Sequence, residues 1–134
     1  MREIKFRVWN TLLKEYVPED IVYLSPDGSL LFGSIMLDSA IYIKPNFQKY
    51  KDVILEGENI AEQFTGLKDI NGTEIYEGDI LIDDSGEPIE YWIVKFSDGG
   101  FVGECVGVAE SLFELTNLEV AGNIHKDPEL MEEK

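Results

Sequence analysis

Residues 63–81 read QFTGLKDINGTEIYEGDIL, and this stretch decides the fold. Phe64, Thr65 and Leu67 are strand formers. Asn71-Gly72 behind them is the strongest short hairpin signal a sequence offers, because both residues tolerate a positive φ. Gly78-Asp79 marks a second change of direction. Gln63–Leu67 is therefore expected to enter as a strand, Lys68–Thr73 to reverse the chain, and Glu74–Ile82 to return, bent at Gly78. Turn chemistry accounts for these glycines without any ligand.

The same grammar continues toward the C-terminus. An acidic loop, Asp83–Pro88, precedes EYWIVKF at 90–96. Alternation there places Trp92, Val94 and Phe96 on one face and Tyr91, Ile93 and Lys95 on the other. Ser97-Asp98-Gly99-Gly100 turns the chain and FVGECVGV returns. SLFELTNLEVAGNI holds two further short runs around a bend at Asn117. Asp127 as N-cap and Pro128 at the first helical position suit a short helical end. From Gln63 onward this makes about five short strands with closely spaced turns, the pattern of a small barrel or sandwich.

Toward the N-terminus, EIKFRVW at 3–9 alternates as a half-buried strand, with Ile4, Phe6 and Val8 on one face. Asn10–Leu13 turns, Lys14–Val17 continues, and Pro18 breaks the pattern. IVYLS and SLLFGS flank Pro26-Asp27-Gly28, a turn with its own mechanism of reversal. Residues 35–43 form another apolar run. Residues 46–62 hold either a short helix or a linker, and the domain boundary is placed there. The expected organisation is a mixed β unit over 1–60 and a second β unit over 61–134.

The chain has 134 residues with 27 acidic and 11 basic side chains, a net charge of −16. The charge is uneven: residues 63–134 carry 17 acids against 4 bases. Such a field disfavours direct binding of nucleic acid or of an anionic membrane. Solubility is its ordinary use, and attraction of a basic partner its sharper one. No apolar run approaches membrane-spanning length. The opening MREIKFRVW lacks the apolar core of a signal peptide, so the expected location is cytoplasmic.

Catalytic patterns are absent from the sequence. The acids Glu74, Glu77, Asp79, Asp83, Asp84, Glu87 and Glu90 read as solvated loops and turns. Glu77, Asp79 and Asp83 are conceivable ligands of a hard cation, but neither 69–72 nor 83–86 has calcium-loop spacing. Cys105 is the lone cysteine, alternating within a strand-like run as a small buried side chain. His125 is the lone histidine and no Gly-x-Ser-x-Gly elbow accompanies it. Gly99-Gly100 lacks the lysine of a phosphate loop. The expectation is no enzyme, no metal and no cofactor. Aromatic side chains are the better lead, with Tyr76 and Tyr91 the candidates for a protein interface.

Three segments in order, MREIKFRVWN, QFTGLKDINGTEIYEGDIL and LEVAGNIHKDPEL, resemble the YopX family of small bacteriophage and prophage proteins. The resemblance implies an overall mostly β (α+β) chain, with an N-terminal mixed β unit followed by a C-terminal SH3-like β-barrel that ends in a short helix. It also implies assembly into homo-oligomers, and it supplies no catalytic residues. The functional expectation is a non-enzymatic phage-type accessory protein in the bacterial host cytoplasm that binds a host protein. The alternative is an acidic DNA mimic that occupies a host protein's nucleic-acid site.

Overall fold

The computed structural model describes residues 5–24, 30–32, 34–37, 40–43 and 47–131; at 20 and 23–48 the description is of backbone alone. The chain divides into two compact units, one of residues 7–61 and one of residues 1–6 with 62–134. The described residues are mostly β, with curled sheets that include a half-barrel. Among them no helix is long and apolar enough to cross a membrane.

In the first unit, β1 (Phe6–Asn10) pairs antiparallel with β2 (Glu15–Tyr16). Trp9 packs edge-on against Tyr16, and the Arg7 guanidinium lies over the Tyr16 ring. Val8, Trp9 and Asn10 are all buried, so the end of β1 is covered on both faces rather than alternating. β3 (Val22–Leu24) pairs with β4 (Leu30–Phe32), and β5 (Ser34–Leu37) with β6 (Ala40–Ile43). The strands flanking Pro26–Gly28 thus pair as expected, while the turn itself lies outside the described residues. The 46–62 ambiguity resolves into helix α1 (Phe47–Glu56). Gly57 stands at its C-terminal end, its amide donating to Val53 O. Buried Asn10 organises that end: its Nδ2 donates to Val53 O and to Asn59 Oδ1, and Asn59 Nδ2 donates to Ile54 O. Asn10 Oδ1 accepts the Leu12 and Leu13 amides. One side chain thereby satisfies two turn donors and adds a second bond to a helix-end carbonyl.

In the second unit, β7 (Asn59–Lys68), which begins just before it, pairs antiparallel with β8 (Glu74–Tyr76). β9 (Asp79–Asp83) does not continue that hairpin. It enters a five-stranded sheet ordered β12-β11-β10-β9-β13, with β10 at Glu90–Ser97, β11 at Gly100–Cys105, β12 at Val108–Ser111 and β13 at Glu119–Asn123. The expected bend at Gly78 is therefore a switch between two sheets. Gly78 has φ 85°, and any Cβ there would collide with the Glu62 carboxylate. Only glycine meets both demands. The first turn also differs from expectation. Gly72 is left-handed at φ 83° but Asn71 is not, and the Asp69 carboxylate accepts the Asn71 and Thr73 amides.

The core of this unit gathers Ile75, Leu81, Trp92, Val94, Cys105, Leu112 and Leu115. Trp92 and Val94 alternate inward as read from the sequence, but Phe96 on the same face emerges from the core and is 51% exposed, packed edge-on against Phe101. Two short 3-10 helices, Leu112–Leu115 and Pro128–Met131, complete the unit. The second of these is the expected helical end, wound more tightly. The run FVGECVGV is not one strand: Val106 and Gly107 turn it, with φ 45° and 79°.

Candidate binding surface

Two polar arrangements in the second unit invite a chemical reading. In the first, His125 Nε2 lies 3.0 Å from Glu62 Oε2, with the two side chains 13% and 6% exposed. Around it, Asn123 Oδ1 accepts the His125 and Lys126 amides, Asp127 Oδ2 accepts the Asn123 amide, and the Ile124 amide donates to Gly78 O. These groups are spent on main-chain amides and on one another, which makes the cluster a clasp between β7, the Gly78 switch and the turn after β13. Sequence reading singled out His125 but missed Glu62, because a partner 63 positions away leaves no local signal.

The second arrangement is the acidic segment 83–90. Asp83 Oδ1 accepts the Ser85 hydroxyl and amide, which hold its carboxyl below the ordinary value. Asp83, Ser85, Gly86, Glu87, Pro88 and Glu90 line an open depression. Of Glu77, Asp79 and Asp83, the conceivable cation ligands, only Asp83 lies there. Glu77 Oε1 accepts the Gln63 amide, and Asp79 Oδ2 accepts the Tyr76 amide at the other end of β9. Among the described residues no three His, Cys, Asp or Glu side chains gather with metal-binding geometry. Burial pushes the Cys105 thiol up, the Glu90 charge adds to that, and the Tyr91 main chain only partly opposes it. A thiol so placed is a poor nucleophile.

What remains is surface. Phe96, Val106, Val108 and Phe113 are exposed by 51%, 90%, 54% and 72%. They stand on β10, on the β11–β12 turn, on β12 and on the 3-10 helix that follows. Between residues 90 and 115 the chain carries five acidic side chains and one lysine, Lys95, which is 3.2 Å from Glu104. Exposed apolar side chains in an acidic field suit a basic, partly apolar protein surface. Tyr76 and Tyr91 are half-buried instead. The Tyr76 ring lies 5.4 Å from Phe64, and Tyr91 pairs with Ile82 across β10 and β9. The exposed hydrophobics escaped sequence reading because alternation assigns a face and not the point where a curled sheet ends.

The fold has a solved counterpart. A crystal structure of protein EF1440 from Enterococcus faecalis superposes with a TM-score of 0.60 at 25% identity, covering 98% of this chain and all of the other. No curated protein matches the sequence. A family model described as YopX protein matches residues 5–132, nearly the full length, and the chain belongs to the YopX family.

Proposed function

We propose that the chain is a non-enzymatic protein-binding module whose acidic second unit docks a basic partner protein. The observation that carries this reading is the exposure of Phe96, Val106, Val108 and Phe113 amid acidic side chains. An SH3-like barrel is the finer description of the unit. It is supported by the order β12-β11-β10-β9-β13 with a 3-10 helix between β12 and β13. Small barrels of this kind present strands and loop tips to partners. The setting of this reading is a phage or prophage protein acting in the host cytoplasm, assembled from several copies, with Tyr76 and Tyr91 as candidate contacts between them.

Affinity capture from nuclease-treated bacterial lysate, followed by titration of the purified pair, tests the reading. The expected result is one basic host protein that binds the wild type and binds Phe113→Ser at least several-fold more weakly. A monomeric chain that retains nothing would end it. A second reading, mimicry of a nucleic-acid backbone, draws on the 17 acids against 4 bases in residues 63–134. It requires binding that falls steeply with salt and competes with duplex DNA; insensitivity to both removes it.

A further inference from the structure

The five-stranded sheet has two outer strands, and they are finished differently. On β13 the Val120 amide donates to Asp69 Oδ2 at 2.8 Å, and the Ile70 amide donates to Leu118 O at 3.1 Å just before the strand. On β12, Cys105 pairs with Val108 and Gly103 with Glu110. A two-residue turn makes the Cys105–Val108 pair the hydrogen-bonded one, so alternation turns the main-chain groups of Ala109 and Ser111 away from β11. Among the described residues no strand pairs with that outer side. All four β12 residues are exposed, and none is proline or lysine, two devices that blunt an edge.

The turn leading into β12 is costly for its residue. Val106 has φ 45° and is 90% exposed. A β-branched residue in the left-handed region is strained, and asparagine or glycine would serve this turn better. At 90% exposure the side chain gains little burial to set against this strain, and an unoffset outlier of this kind is a pointer to function.

We propose that the β12 edge, with Val106 at its tip, is the docking site for an extended basic segment of a partner protein, which adds as a further strand. Main-chain bonds to Ala109 and Ser111 give the register, Val106 and Val108 give apolar contact, and the exposed Glu110 and Glu114 select Lys and Arg. A second copy of this chain would bring the same acids to the same edge, which disfavours it as the occupant. The inference rests on the protein-binding reading above and adds where and how the partner binds.

The test selects a random peptide display library on the wild-type protein and titrates the enriched peptides into labelled protein by NMR. The expected peptides alternate Lys or Arg with β-branched residues, and they slow hydrogen exchange at Ala109 and Ser111. Ala109→Pro removes an outward N–H and leaves the β11 ladder intact, so binding should fall by about tenfold or more, the order expected when a main-chain bond and its geometry are lost. Val106→Asn should bind more weakly while melting at higher temperature, and it carries the test should the proline variant fail to fold. Peptides bound equally by wild type and both variants would overturn the edge site and leave the binding-module reading standing. No enriched peptide would overturn both. A wild-type dimer that Ala109→Pro renders monomeric would give the edge to a second copy and overturn the proposal.

Discussion

The two outer strands of the five-stranded sheet are made of similar material and meet different fates. β13 is closed by a carboxylate and a loop amide from the 69–73 turn, and β12 faces outward with exposed residues throughout. An open strand edge is a hazard of self-pairing that proteins normally remove. A buried acid closes one edge, while among the described residues no strand covers the other, which lies next to a valine in the left-handed region.

Removing the closure is the largest expected effect. Asp69→Ala leaves the Val120, Asn71 and Thr73 amides without their acceptor and should cost about 3 kcal/mol in urea unfolding. It should also add self-association visible in light scattering. A loss below about 1 kcal/mol, the size of a typical point mutation, would mean that β13 is held by other contacts.

Acid should undo the same closure more gradually. Burial raises the Asp69 carboxyl, but the Val120, Thr73 and Asn71 amides and the Thr73 side chain outweigh it and hold the group below 3.8. A carboxylate with a lowered folded pKa contributes stability that is complete above its unfolded value and lost as pH falls through the folded one. The stability difference between wild type and Asp69→Asn should therefore shrink below about pH 4. A difference constant down to pH 2 would show that the charge is immaterial.

Gly78→Ala comes next. The methyl would displace Glu62 from His125 and sit at φ 85°, for an expected loss of about 2 kcal/mol in thermal unfolding. A neutral result would mean that the clasp relaxes freely. Val106→Asn has the smallest effect and the opposite sign, a gain of about 1 kcal/mol from relieved left-handed strain. A destabilised Val106→Asn would show that the valine supports the fold, and the contrast between the two edges would lose its sharpest element.

Local rules made part of this legible. Asp98-Gly99 and Val106-Gly107 adopt nearly the same left-handed pair, with φ 51° and 82° in one and 45° and 79° in the other. Only the first was readable, because Asp-Gly is what that geometry prefers and Val-Gly is not. Helix α1 is not legible within 46–62, because the groups that finish it, Asn10 and Asn59, are side chains whose role depends on tertiary position. Of the candidate surface, the aromatic content and the acidity were legible, and Tyr76 and Tyr91, named from sequence, are half-buried, while the exposure of Val106, Val108 and Phe113 was not legible.

By itself the sequence determined the β-rich character, the acidic second half, the turns at 69–73 and 97–100, and the inward alternation of Trp92 and Val94. These are properties of neighbours along the chain, which periodicity and turn preference report directly. Only the tertiary structure decided that β9 leaves β8 for another sheet, that Glu62 meets His125, that Asp69 bonds β13 and that no strand among the described residues covers the outer side of β12. Each of these joins or separates residues far apart in sequence, and it follows from how curled sheets close on themselves, which no local pattern encodes.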